Sequence, residues 1–188
     1  VNVRPVSPSP FRLLLGPAFG RLPAPLRLVH GLAAPLDTIG TAEVTPAPGP
    51  LAALARRLAG LPESGRTVEV RFEPDGRSAE RWSRRFDARR YASTIAADPP
   101  HLRERFGPFD VLYRLHPRAD GLDWKAVAWR LGPLPLPLHP HIQAHESADG
   151  DRFRFDIEIA LPLIGPVVSY RGWLLPRPRP TGRGQTNS

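Results

Sequence analysis

From Arg152 to Leu174 the chain reads RFRFDIEIALPLIGPVVSYRGWL. Phe153, Phe155, Ile157 and Ile159 alternate with Arg152, Arg154, Asp156 and Glu158. Period-2 alternation sends one set to an apolar core and the other to water, so residues 152–160 are predicted as a β-strand. A Pro-Leu-Ile-Gly-Pro turn leads into a partner strand over 167–175. There Val167, Ser169, Arg171 and Trp173 share a face, which sets an arginine between apolar neighbours. The pair predicts an antiparallel sheet with something polar inside.

The same pattern recurs upstream. Val68, Val70 and Phe72 alternate with Thr67, Glu69 and Arg71, and Pro74-Asp75-Gly76 follows as a hairpin turn. Further strands fit 38–45, 80–86, 90–96, 102–106, 109–115, 122–131 and 142–146, with Asp120-Gly121 and Asp149-Gly150 as turns. LGPLPLPLHP (131–140) is an extended crossover, because proline cannot donate to a central ladder. Helical signals sit only at the front. Ser9-Pro10 caps a segment, FRLLLGPAFGRLPAPLRLVHG, that reads as two short helices broken at Gly16-Pro17 and Pro23. Gly49-Pro50 opens a third helix in which Leu51, Leu54, Leu58 and Leu61 recur at helical spacing, Arg56 and Arg57 take the wet side, and Gly60 and Pro62 stop it.

Successive short strands without interleaved helices imply an antiparallel sheet rather than βαβ units. The expected fold is α+β: short N-terminal helices and one amphipathic helix packed on a strongly curved antiparallel sheet or barrel. Its leucine helix is expected to lie on the face carrying Phe153, Phe155 and Ile157. A mobile arm (1–9) precedes a single domain (10–175), and a disordered basic tail (176–188) follows.

Composition narrows the function classes. The chain has 188 residues, 41% hydrophobic, enough for one domain with a real core. With no cysteine there is neither a disulfide framework nor a thiolate metal site, and no apolar run reaches transmembrane length. A cytoplasmic location is expected. Lys125 is the only lysine among 26 basic residues, the bias of a high-GC bacterial genome, so the net charge of +8 is weak evidence for nucleic-acid binding. Arg177, Arg179 and Arg183 lie in the tail, and without these three the balance is +5. The tail is expected to give weak, salt-sensitive contact with anionic membranes, with Trp173 near the interface.

Some charges fall on apolar faces. Arg84 lies between Trp82 and Phe86, Glu104 between Leu102 and Phe106, Glu146 beyond Ile142 and Ala144, and Arg171 between Val167 and Trp173. Buried charges require partners, so these four are expected to converge in one concave site. They form either a polar floor in a small-molecule pocket or an Arg-Glu cluster that sets strand register. RRFDARR (84–90) reads as a solvated turn between strands. His139, His141 and His145 share an extended face in HPHIQAH but lack a fourth ligand, and no metal or cofactor is expected. His30 closes its helix as a C-terminal cap. Phosphate-loop, dinucleotide and nucleophile-elbow motifs are absent, which leaves Glu104 and Glu146 as the candidate acid–base residues.

FRLLLGPAFGRLPAPLRLVHG, ERFGPF, RFRFDIEIALPLIG and SYRGWL together resemble a bacterial domain-of-unknown-function family, number 4166, over about residues 10 to 175. Members of that family often follow a saccharopine-dehydrogenase-like reductase domain. The resemblance therefore implies a reductase partner, though no activity. The leading expectation is a binding module for an apolar or amphipathic, lipid-like small molecule. Its site would be formed by Trp82, Arg84, Glu104, Phe106, Glu146, Tyr170, Arg171 and Trp173. The alternatives are an isomerase- or cyclase-like enzyme using Glu104 or Glu146, and a structural or interaction module beside a separate reductase.

Overall fold

In the computed structural model the described residues are 8–75 and 78–177. Helices α1 (Pro10–Leu15) and α2 (Ala24–His30), joined by a 3-10 turn (Gly16–Arg21), precede β1 (Leu36–Pro46). Helix α3 (Pro50–Ala59) separates β1 from β2 (Thr67–Pro74). Then come β3 (Ala79–Phe86), β4 (Arg89–Asp98), β5 (His101–Phe106), β6 (Phe109–Pro117) and β7 (Gly121–Leu131). The chain finishes with β8 (Leu134–Pro135), β9 (His141–Asp149), β10 (Arg152–Leu161) and β11 (Gly165–Pro176).

Among the described residues, ten strands close into an antiparallel barrel in the order β1-β2-β3-β4-β5-β6-β7-β9-β10-β11, and β11 returns to β1. The two-residue β8 is only a ribbon on the end of β7. An even number of strands is what lets an up-and-down meander close with every pairing antiparallel. The expected curved sheet is thus a full barrel, which removes free edges. Inward positions alternate as expected: Val68, Val70 and Phe72 on β2, Leu122 and Trp124 on β7, and Phe153, Phe155 and Ile159 on β10 are all buried. On β11 the inward set is Val168, Tyr170 and Leu174, one residue out of step with the expected face. The register slips at Ile159/Ala160, which buries both Val167 and Val168 and resets the alternation. Gly172 also faces inward, where a Cβ would run into the Thr41 carbonyl and the Phe155 ring.

Meander topology sorts the connections by end. The β1–β2, β3–β4, β5–β6, β7–β9 and β10–β11 links lie at one end, and α1, α2 and the remaining links lie at the other. The N-terminal helices plug that second end. Ser9 accepts from the Arg12 amide at 3.2 Å and caps α1, which turns Phe11 inward. Phe11 is fully buried, stacked on His30 at 3.9 Å and against Trp124 at 5.4 Å.

Helix α3 forms a lid across the other end. Arg56 Nη1 donates to the carbonyls of Ala47 (2.7 Å) and Val167 (2.8 Å), fixing one side of the lid beside β1 and β11. The Leu58 carbonyl lies against Gly107 in the β5–β6 turn, opposite β1 and β11 in the ring. Gly60, at φ 68°, supplies the left-handed stop, and Leu61 drops into the barrel at 4% exposure. The orientation of the lid corrects the expected packing. Ala52, Ala55 and Ala59 are buried, whereas Leu51, Leu54 and Leu58 are 59%, 52% and 57% exposed. Alanines let the helix backbone sit close over a narrow mouth, where leucines would hold it off. Arg56, expected on the wet side, is buried for its carbonyl contacts.

Arm and tail expectations concern residues 1–9 and 176–188; of these, 1–7 and 178–188 lie outside the described residues. Pro176 belongs to β11, and Arg177 bonds Glu69 at 3.1 Å. The turn expected at Pro74 to Gly76 also falls partly outside the description. Among the described residues no helix is long and apolar enough to cross a membrane.

The plug makes a direct prediction. Phe11→Ala should leave a cavity between the indoles and cost about 3–5 kcal/mol in urea unfolding, whereas Leu13→Ala, on the exposed side of the same helix, should change stability by less than about 1 kcal/mol.

Candidate functional site

Two polar groups lie inside the barrel. The first belongs to the plug. His30 Nε2 and Glu146 Oε2 are 2.7 Å apart, and Trp124 Nε1 donates to the same oxygen at 3.1 Å. Beside them Trp82 Nε1 donates to Glu80 Oε2 at 2.9 Å. His30 and Glu80 are each almost fully buried. His30 is therefore no helix-capping surface residue: it carries the N-terminal helices into the barrel and bonds a residue of β9. Burial raises the Glu80 carboxyl above its ordinary value; the Trp82 bond and the nearby His30 pull the other way and offset it only in part.

The second group lies nearer the lid. Arg84 Nη1 donates to Ser93 Oγ at 2.7 Å, and Nη2 reaches Glu104 Oε1 at 3.4 Å. Its guanidinium lies over the rings of Trp82 (5.0 Å) and Tyr91 (5.2 Å). The hydroxyls of Tyr91 and Tyr170 are 3.3 Å apart, and the Tyr113 hydroxyl neighbours Glu104. Burial, the largest cause in each, pushes all three tyrosines up, and for Tyr113 the Glu104 carboxylate adds to it. At physiological pH these are neutral hydroxyls able to donate.

Between the two groups lies a cavity. Trp82, Phe106 and Trp124 supply aromatic wall; Arg84, Glu104 and Glu146 supply charge; and Leu61 approaches from the lid. The space among these side chains is about 520 Å³ when the part open to solvent is included, and about 60 Å³ of it can take the centre of a water-sized sphere. That inner space holds a few waters. A second void of about 380 Å³, toward Phe72, Phe153 and Phe155, shares Trp82, Arg84 and Tyr170 with the first.

Six of the eight residues expected at the site line this cavity: Trp82, Arg84, Glu104, Phe106, Glu146 and Tyr170. Arg171 and Trp173 do not. Arg171 points outward and pairs with Glu43 at 3.0 Å, both exposed. Trp173 packs outside under the Arg152 guanidinium, 4.6 Å from its ring centre. The bulge that shifts the alternation of β11 is the reason. The four expected charges therefore do not all converge: three face the interior, and Glu146 is bonded to His30 rather than to an arginine. RRFDARR is likewise a turn only in its middle, since Arg84 faces inward. Tyr91, Tyr113, Trp124, Ser93, Glu80 and His30 are polar or aromatic members of the interior that the charge-based search passed over. For the five on strands the signal is present, because each falls in step with buried apolar or aromatic residues on the same face. For His30 it was absent, because helix spacing cannot show a bond to residue 146. In HPHIQAH, His145 Nδ1 bonds Asp123 at 2.6 Å on the outer wall. No group of three or more metal-ligating side chains occurs among the described residues.

Fold and cavity together define the class: a ten-stranded antiparallel barrel, plugged at one end, lidded at the other, with an interior that mixes indoles, phenols and paired charge. The model of one family, described as Domain of unknown function (DUF4166), matches residues 22–174, from the plug to the last inward residue of β11, and the chain belongs to that family. No curated protein matches the chain.

Two variants test the electrostatics. Glu104→Gln keeps the shape but leaves Arg84 under-compensated; it should cost about 3 kcal/mol or more in chemical denaturation, and a loss near 1 kcal/mol would mean that cavity water already screens the guanidinium. Glu80 gives a pH signature. Its folded value is raised, so its contribution to stability is complete below the ordinary 4.5 and is lost as pH rises through the raised value. Melting curves of Glu80→Gln should therefore gain on the wild type as pH climbs above 4.5, and the two should converge in acid.

Proposed function

We propose that the barrel is a binding module for an apolar or amphipathic small molecule, with the polar end of the ligand at Arg84. The observation that carries this reading is a guanidinium inside a closed barrel whose one carboxylate contact among the described residues is 3.4 Å long, beside open space. A structural ion pair would gain from a shorter, two-pronged contact. Arg84 is instead spread over a serine hydroxyl, two ring faces and one distant carboxylate. Neutral Tyr91, Tyr113 and Tyr170 hydroxyls add donors around the same space. Aromatic and aliphatic walls with a few convergent polar groups are the usual composition of a small-molecule site. The inner free volume is small, so a ligand of more than a few atoms has to push Leu61 and the lid outward. Helix α3 suits that movement, being bounded by Gly49 (φ 100°) and Gly60 (φ 68°).

One observation favours a second, enzymatic reading: Glu104 and Glu146 line the same cavity. Glu146 already takes two donors on one oxygen, so Glu104, with the Tyr113 hydroxyl beside it, is the group free to move a proton in an isomerisation or cyclisation.

Binding is tested by titrating medium-chain fatty acids and the matching alcohols into the protein while following indole fluorescence from Trp82 and Trp124. Saturable quenching is expected, tighter for the acids. Arg84→Gln should weaken acid binding roughly tenfold and leave the alcohols unchanged. Absence of saturable binding for every chain length, in a protein that melts cooperatively, would make the cluster structural.

A further inference from the structure

The two ends of the barrel differ in chemistry. Among the described residues ten large apolar side chains are substantially exposed, and eight of them lie at the lid end; Leu13 and Leu28, on the plug helices, do not. Three are the outer leucines of α3. Leu163 (95% exposed) and Ile164 form the tip of the β10–β11 turn. The others, Leu131, Leu134 and Leu138, come from the proline-rich β7–β9 link. The connections at the plug end carry instead Asp75, Arg118, Asp120 and Asp151.

Exposed arginines without an ion pair among the described residues occur at both ends, Arg12, Arg21 and Arg27 on the plug helices included, so it is their combination with many apolar side chains that singles out the lid end. Arg57, Arg66, Arg90 and Arg130 are exposed on the lid, its return loop and the adjoining strand ends, and none has an ion pair among the described residues. Arginines lower on the barrel wall are mostly paired, as Arg71 is with Asp37 and Arg171 with Glu43. The wall itself is charged on strand after strand, the reverse of a lipid-facing barrel wall. Lipid contact is thus restricted to an end-on approach.

We propose that the lid end docks on an anionic bilayer surface, with α3 and the β10–β11 and β7–β9 connections set into the headgroup layer and the four unpaired arginines on lipid phosphates. Apolar residues interspersed with arginines are what an interfacial surface requires, since burial and attraction to anionic lipid each give only part of the affinity. A second protein would also cover leucines, but a surface that retains four uncompensated arginines fits a negatively charged plane better than a neutral protein patch. The site stands independently of ligand binding. If both hold, the mouth under the lid opens onto the membrane, the natural source of an amphipathic ligand.

The chain has no cysteine, so single labels can be placed cleanly. Leu163→Cys at the lid end and Asp120→Cys at the plug end are each labelled with an environment-sensitive fluorophore. Both are mixed with vesicles of phosphatidylcholine alone and with added phosphatidylglycerol. The expected result is a blue shift for the label at 163 on phosphatidylglycerol vesicles only, with no shift at 120. Arg57→Gln and Arg130→Gln should each lower the partition coefficient about fivefold. Leu54→Ser with Leu58→Ser should lower it at least tenfold, while the melting temperature changes little because both leucines are exposed. No vesicle binding, equal shifts at both positions, binding that survives all four substitutions, or concentration-dependent dimerisation that removes the shift would each overturn the proposal. The third of these would assign the contact to the arginine tail, the fourth to a second copy of the chain.

Discussion

A buried hydrogen bond anchors the N-terminal helices in the barrel: His30 Nε2 on Glu146, flanked by the Phe11 ring and the Trp124 indole. A closed barrel of ten strands has an interior too wide for its own inward side chains to fill. Something from outside the sheet must occupy it. Residues 10–30 do so with the Phe11 ring and the His30 imidazole, backed by Leu22, Leu26 and Val29, and the carboxylate that meets the imidazole also accepts a hydrogen bond from the Trp124 indole. Removing the plug would leave Glu146, Glu80 and two indoles facing an empty core. The remaining architecture follows: strand alternation shapes the wall, and the plug decides which part of the lumen stays open.

The lid solves the opposite problem. It covers a mouth without filling it, and it is fastened by one arginine to two backbone carbonyls rather than by a leucine seam. Buried alanines give close approach and little apolar area, so α3 is held less firmly than the plug. Plug and lid thus differ in strength by composition: aromatic stacking and a buried hydrogen bond at one end, alanines and Arg56 at the other. The free space of the cavity lies between Arg84 and Leu61, on the weaker side.

Strands, their order in the chain and the α+β class are legible because alternation is local and most of the inward strand faces keep it, the slip in β11 being the exception that matters. Trp82, Arg84, Glu104, Phe106 and Glu146 face the lumen for the same reason, whereas Tyr170 does so because the slip in β11 turns it inward. The misses share one cause, which is that long-range fit overrides local pattern. Arg171 and Trp173 were misplaced because a one-residue slip near Ile159 inverts everything after it, and no residue type announces that slip. Helical spacing predicts Leu51, Leu54 and Leu58 in the core because hydrophobicity ranks leucine above alanine, whereas a helix spanning a narrow opening is selected for thinness. His30 looked like a cap because its partner lies 116 residues away.

That separation bears on how the molecule is made. The plug helices are made before the strands that receive them, β9 and β10, and β1 cannot find β11 until every strand between them has been made. During synthesis Phe11, Val29 and the early strands have no permanent partner, and a half-finished ring keeps two open edges. Ring closure is therefore the last step in completing the barrel, with the slow kinetics that distant pairings impose and a window in which chaperones have surface to hold.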